Sequence, residues 1–170
     1  VRIIYAPNAT LKNYQYYLNI ILKALYKPSD NAMGFTEGKS VITNAQRHIC
    51  KRYVYNIDLK DFFTNITQAR VWKRLQLPPF NFKQPVVNII AGICSIKLFP
   101  SESYGRKSLQ YVLPQGAPTS PLLSNAICDV LDRRLNGLAK RFNAEYTRYA
   151  DDITFSSNKN VFNTNSDFIL

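Results

Sequence analysis

The sequence predicts an α+β fold, with helices interleaved with a few short strands and a β-hairpin near the carboxyl end. Two observations lead there. Apolar residues recur at helical spacing over long stretches, as at Leu11, Tyr14, Leu18, Ile21, Leu22 and Leu25. Runs of strand length are few and short, and Pro and Gly separate elements without forming a linker, repeat or low-complexity tract. A chain of 170 residues suffices for one sizeable core, and 46% hydrophobic with 13% aromatic content argues against disorder.

Taken in order, Val1–Tyr5 is a short apolar run closed by Pro7 and reads as a strand. Leu11–Leu25 is an amphipathic helix, and Pro28–Lys39 is polar and turn-rich. Ser40–Ile49 suggests a second short helix, and Tyr53–Ile57 a strand. Thr67 caps a helix through Leu75 that Pro78-Pro79 ends. Pro85 opens another helix reaching about Ile96, Pro100–Lys107 is a loop, and Leu109–Leu113 is a candidate strand. Ser120-Pro121 starts a helix whose apolar face includes Leu122, Leu123, Ala126, Ile127, Val130, Leu131, Leu135 and Leu138. Two strands, Glu145–Tyr149 and Ile153–Ser156, then form a hairpin turning at Ala150-Asp151-Asp152.

Charge narrows the function classes. Twenty-two Lys and Arg against eleven acids give a net charge of +11, which suits a polyanionic partner such as nucleic acid. A membrane role is disfavoured. The longest apolar stretch, Val86–Ile96, is well short of the ~20 residues that span a bilayer, and no signal-peptide pattern opens the chain. Cys50, Cys94 and Cys128 form no metal-ligand spacing, and His48 is the only histidine, so structural zinc and a His-centred hydrolase triad are both disfavoured. Free thiols point to a reducing, cytoplasmic setting.

The acids themselves are more informative. Four of the eleven lie in two short runs, Asp58-Leu59-Lys60-Asp61 and Asp151-Asp152. Neighbouring carboxylates repel unless a proton or cation sits between them. An aspartate ending a strand and a pair at a hairpin can meet at one sheet edge, where hard oxygen donors suit Mg²⁺. Two such ions about 3.5–4 Å apart would serve phosphoryl transfer. Taken singly, each run has a plainer reading, a solvated turn for Asp-Asp and a helix cap for Asp58 and Asp61.

Three motifs then become specific. Arg-Tyr-Ala-Asp-Asp-Ile-Thr-Phe-Ser at 148–156 resembles the catalytic motif of reverse transcriptases. Asp-Leu-Lys-Asp-Phe-Phe at 58–63 resembles their first metal-binding motif, and Leu-Pro-Gln-Gly-Ala-Pro-Thr-Ser-Pro at 113–121 the segment beneath the incoming nucleotide. The resemblance covers nearly the whole chain and implies a right-hand polymerase fingers–palm core, its small antiparallel palm sheet and catalytic hairpin packed on helices. Residues 1–52 would be fingers-like and 53–170 palm, with room for fingers elements in 64–112.

The resemblance also implies residue roles. Asp58 and Asp151 would be the principal metal ligands, with the Leu59 carbonyl assisting and Asp152 as the second hairpin carboxylate. The cofactor would be two Mg²⁺ ions, with Mn²⁺ as a substitute. Asp61 would sit near triphosphate and ribose, and Phe63 would be a steric gate that favours dNTPs over rNTPs. Gln115 and Gly116 would lie against the nascent base pair, and Arg2 would hold the triphosphate. Phe63 as a core aromatic, Gly116 as a turn residue and Arg2 as a surface charge are the plainer readings.

Ile-Thr-Phe-Ser after the acidic pair, Gly-Ala-Pro-Thr-Ser-Pro, and Asn44-Ala45-Gln46-Arg47-His48 are similar to the bacterial retron group or related phage-defence reverse transcriptases. That likeness implies RNA contacts near Asn44, His48, Lys51 and Arg52, against a plain reading of His48 as a partly buried helix residue. Further basic residues, Lys60, Arg70, Lys73, Arg74, Arg133, Arg134, Lys140 and Arg141, suit a phosphate groove. Implied partners are an RNA template, a DNA or RNA primer, dNTPs, a cognate non-coding RNA and an effector protein. The chain ends at Leu170, soon after the hairpin, so a core without its thumb is expected, of weak or absent activity by itself. The alternatives are a non-catalytic RNA-binding module on the same fold, or an RNA-dependent RNA or template-independent polymerase.

Overall fold

A computed structural model describes residues 4–99, 108–163 and 168. The elements in chain order are α1 (Ala9–Leu25), α2 (Val41–Gln46), β1 (Tyr53–Asp58), a 3₁₀ turn (Phe63–Asn65), α3 (Gln68–Gln76), α4 (Gln84–Ile93), β2 (Ile96–Leu98), β3 (Gln110–Val112), α5 (Ser120–Arg141), β4 (Glu145–Tyr149) and β5 (Asp152–Ser157). They form two compact units, each discontinuous in sequence. The first comprises Val1–Lys27 and Asp61–Ile127, the second Pro28–Lys60 and Cys128–Leu170, so the first part of α5, to Ile127, belongs to one unit and the longer remainder to the other.

In the first unit α1 starts where Asn8 accepts a hydrogen bond from the Leu11 amide. Leu18 and Leu22 face inward, and the buried Gln15 donates from Nε2 to the Ile93 carbonyl at 2.7 Å, which ties α1 to the end of α4. Thr67 caps α3 as expected, and α3 packs on α4, with Val71 and Leu75 of the one and Val87 and Ile90 of the other buried. The helix expected to run to Ile96 ends at Ile93 with Cys94 as its cap, because Ile96–Leu98 pairs antiparallel with β3, Ile96 opposite Val112. Three-residue strands carry too little periodicity to be seen in sequence. α5 starts one residue from its expected place. Ser120 is already helical and the Thr119 carbonyl accepts the first helical bond, from the Leu123 amide. Ile4 and Tyr5 are not in a strand. Residues 1–3 of that expected strand, and the expected loop at 100–107, lie outside the described residues.

In the second unit a three-stranded antiparallel sheet has the order β1-β5-β4. One face carries the core, Tyr146, Ile153 and Phe155 with Ala139 and Phe168, flanked by Leu131, Leu135 and Leu138 of α5. The other side of β4 and β5 presents Thr147 and Ser156, both buried polar residues. The turn-rich segment after Pro28 is more than a connection, for it adds to the edge of β4. The Arg148 amide donates to the Asn31 carbonyl at 2.8 Å, and the Met33 amide donates to the Arg148 carbonyl at 2.7 Å. Lys39 Nζ holds this segment closed through the carbonyls of Ser29, Asp30 and Ala32.

Candidate active site

The β1–β5 register sets the second unit's acidic end. Asp58, last in β1, is the cross-strand partner of Asp152, first in β5, and the Leu59 amide donates to the Asp151 carbonyl at 3.1 Å. Residues paired across antiparallel strands project to the same face. Two motifs far apart in sequence therefore meet at one end of one sheet. Asp58 and Asp152 are exposed and Asp151 is half-buried.

β4 and β5 are joined by a two-residue loop, since Tyr149 pairs with Asp152. Only Asp151 of the acidic pair lies in that loop. Asp152 already belongs to β5, where the sequence had suggested both at the turn. Ala150, first of the two loop residues, has φ 58, in the left-handed region that favours glycine. Among the described residues no three His, Cys, Asp or Glu side chains stand close enough to hold a metal ion. What the fold assembles is the backbone from which these carboxylates project.

The residues expected to contact nucleotide fall in the first unit. Asp61 has φ 52, and its carbonyl accepts from the Asn65 amide at 2.9 Å and Thr64 Oγ1 at 3.2 Å. Phe62 is buried, while Phe63 is half-buried with its ring edge-on to Phe62 at 5.2 Å. The loop bearing Gln115 and Gly116 is closed by Ser120 Oγ donating to the Pro114 carbonyl at 2.6 Å. The Gln115 carbonyl accepts from the Tyr5 amide at 2.8 Å, and a Cβ on Gly116 (φ 120) would come within 2.7 Å of the Ile4 side chain. The close approach at this glycine is thus made by the chain's own amino-terminal segment. Arg2 lies outside the described residues.

His48 is committed within the second unit. Its Nδ1 lies 2.6 Å from Ser156 Oγ and its Nε2 2.7 Å from Thr147 Oγ1, which fastens the end of α2 to β4 and β5. Burial pushes its pKa down, with the Glu145 carboxylate acting the other way and Arg47 and Lys51 reinforcing the drop. Glu145 forms an ion pair with Arg47. Asn44 and Lys51 are half-buried and Arg52 is exposed. Of the basic residues, Arg74 is occupied. It donates to the carbonyls of Ala126 and Pro78, with its guanidinium over the Tyr26 and Phe80 rings.

Three residues beside the hairpin escape a reading of the sequence: Gly34, Asp132 and Arg148. A Cβ on Gly34 would lie 2.5 Å from the Ala150 nitrogen, so the segment beside β4 abuts the turn itself. Asp132 and Arg148 are both fully buried and joined by two hydrogen bonds of 2.8 Å. The available signal was an acid on the apolar face of α5 together with an arginine at a core-facing position of β4, two residues after Tyr146.

Comparison with known proteins agrees with the motifs. Residues 1–162 match the family described as reverse transcriptase (RNA-dependent DNA polymerase). The chain is 42% identical over 161 residues to the retron Mx65 reverse transcriptase of Myxococcus xanthus, covering 92% of this chain and 37% of that protein. It is 36% identical over 159 residues to the retron Ec86 reverse transcriptase of Escherichia coli, covering 92% of this chain and 44% of that protein. It therefore spans less than half the length of these relatives. Among solved structures, telomerase from Candida albicans in complex with a telomeric RNA fragment shares the fold, with a TM-score of 0.55 at 10% identity over 88% of this chain and 31% of that one.

Proposed function

The chain belongs to the reverse transcriptase family, and from that premise we propose that it is the fingers–palm core of an RNA-directed DNA polymerase. One observation carries the reading: Asp58 stands opposite Asp152, with Leu59 bonded to Asp151, at a single end of the second unit's sheet.

The donors there are carboxylate oxygens and a backbone carbonyl, the chemistry of a hard divalent cation. Mg²⁺ needs only one or two protein carboxylates, taking its remaining ligands from water and phosphate. Uncompensated carboxylates repel, so their side chains have no reason to converge until a cation joins them. Asp58, Asp151 and Asp152 would hold the metal, with the Leu59 carbonyl assisting. When bound, a pair of such ions would activate a primer 3′-hydroxyl and stabilise the leaving pyrophosphate. Phe63 would exclude a ribose 2′-hydroxyl, and Gln115, Gly116 and the backbone of Asp61 would position the nucleotide. The template we propose is a structured non-coding RNA, as in a retron.

The test is Mg²⁺-dependent dNTP incorporation on a primed RNA template, by this chain and by its Asp151→Ala, Asp152→Ala variant. Incorporation lost in the variant is expected. RNA binding with no incorporation, by this chain and by a longer one carrying the sequence that follows, would leave a binding module instead. In the same assay Phe63→Ala should reduce discrimination against rNTPs by roughly 10- to 200-fold, the range that steric pocket contacts supply. Unchanged discrimination would return Phe63 to the core.

A further inference from the structure

We propose that Asp132 and Arg148 form a buried clamp that positions the acidic hairpin turn, Arg148 being a positioning residue for Asp151. A guanidinium has five N–H donors in a rigid fork, and where they end tells what the arginine holds. Arg148 spends Nε and Nη2 on the two oxygens of Asp132, each at 2.8 Å, and Nη1 on the Ala150 carbonyl at 2.9 Å. That carbonyl belongs to the peptide linking Ala150 to Asp151. The third bond therefore ends inside the loop that carries a candidate ligand, and not on a neighbouring element.

The turn has reason to need holding. Ala150 adopts φ 58, which an alanine does not choose for itself. Strained backbone persists where its surroundings over-determine it. Here they do. Arg148 is fixed through its side chain by Asp132 and through both backbone groups by Asn31 and Met33. Tyr146 completes the set, donating its hydroxyl to Asp132 Oδ1 at 2.7 Å. Arg148 and Asp132 are 0% and 1% exposed at their side chains, so water does not compete for these bonds.

A purely structural ion pair can be replaced by apolar residues of similar volume with little loss of stability. A clamp cannot, because the Ala150 carbonyl would lose its donor. This separates the two roles. In Asp132→Leu, Tyr146→Phe, Arg148→Met the fold should survive, judged by far-UV circular dichroism and the urea midpoint. The amide ¹⁵N order parameter of Asp151 should nevertheless fall from about 0.85, the rigid value, to below about 0.6. Arg148→Lys offers a second route: it keeps the charge but lacks the fork, so Asp132 and Ala150 cannot both be served, and Asp151 should loosen again.

The kinetic arm rests on the polymerase reading. There kcat for dNTP incorporation should drop at least tenfold, with KM for the dNTP within about threefold, since the dNTP contacts are left in place. A chain without incorporation would remove that reading and leave the order parameter to judge the clamp. An Asp151 that stays rigid in either folded variant, or is already mobile in the unaltered chain, overturns it.

Discussion

Gly34 shows how much of the hairpin's geometry rests on single atoms. Its Cα approaches the turn so closely that an added methyl carbon would meet the Ala150 nitrogen at 2.5 Å and the Tyr149 carbonyl carbon at 3.0 Å. Both are backbone atoms, so no side chain can swing away. Gly34→Ala must displace either the edge segment or the turn, and overpacking of this kind costs about 1–3 kcal/mol. The expected result is a lower urea midpoint and, on the proposed polymerase function, slower dNTP incorporation. Gly137, within α5, is the control of opposite sign, since nothing lies within 4 Å of its added Cβ. Gly137→Ala should raise stability by about 0.5–1 kcal/mol, the usual helix-interior difference. If both substitutions moved the midpoint in the same direction, the close approach at Gly34 would have no energetic weight.

At the scale of elements, α2 is held to the sheet by His48 and by the Arg47–Glu145 ion pair, and the histidine makes that attachment sensitive to pH. The neutral imidazole supplies one donor and one acceptor, which the Ser156 and Thr147 hydroxyls match. Burial lowers the folded-state pKa below its ordinary 6.5. The unfolded chain therefore takes up the proton first as pH falls. The stabilisation is fully present above about pH 6.5 and is lost as pH drops towards the folded value. Urea midpoints should decline below that pH, and His48→Gln should flatten the decline while lowering stability at pH 8. An equally steep decline in the variant would assign the pH dependence to other groups.

The same elements show what sequence could and could not carry. α1, α3, α5 and the β4–β5 hairpin were legible because each spans several periods or bears its own cap or turn signal. β2 was hidden by its length of three residues, and the edge segment at Asn31–Gly34 by looking like a turn-rich loop. Asp58, Asp151 and Asp152 were legible because scarce acids cluster in apolar surroundings. The Asp132–Arg148 pair was not, since only tertiary packing joins α5 to β4 at that point.

For the whole molecule, the net charge of +11 becomes a measurable quantity only when the cations available for phosphate are separated from those already used. Arg74 is used, by two carbonyls and two aromatic rings. Arg148 is used by the clamp, and Arg47 by Glu145. Arg52, Arg70, Lys73, Lys140 and Arg141 are exposed, and Arg133 is exposed beside Asp129 at 3.6 Å, a weak surface pairing. If single-stranded RNA engages about four to eight of the chain's cations, the log of affinity should fall linearly with log salt at a slope of about −3 to −6. Lys73→Ala and Arg74→Ala sit next to each other in α3 and should behave oppositely. Losing Lys73 should reduce the slope by about 0.7 and leave the urea midpoint in place, as removal of one phosphate contact requires. Losing Arg74 should lower the midpoint and leave the slope unchanged, because its guanidinium is bound within the protein. A slope near zero in the unaltered chain would detach its charge from RNA altogether, and a slope change on Arg74→Ala alone would mean that the bonds to Ala126 and Pro78 yield to phosphate.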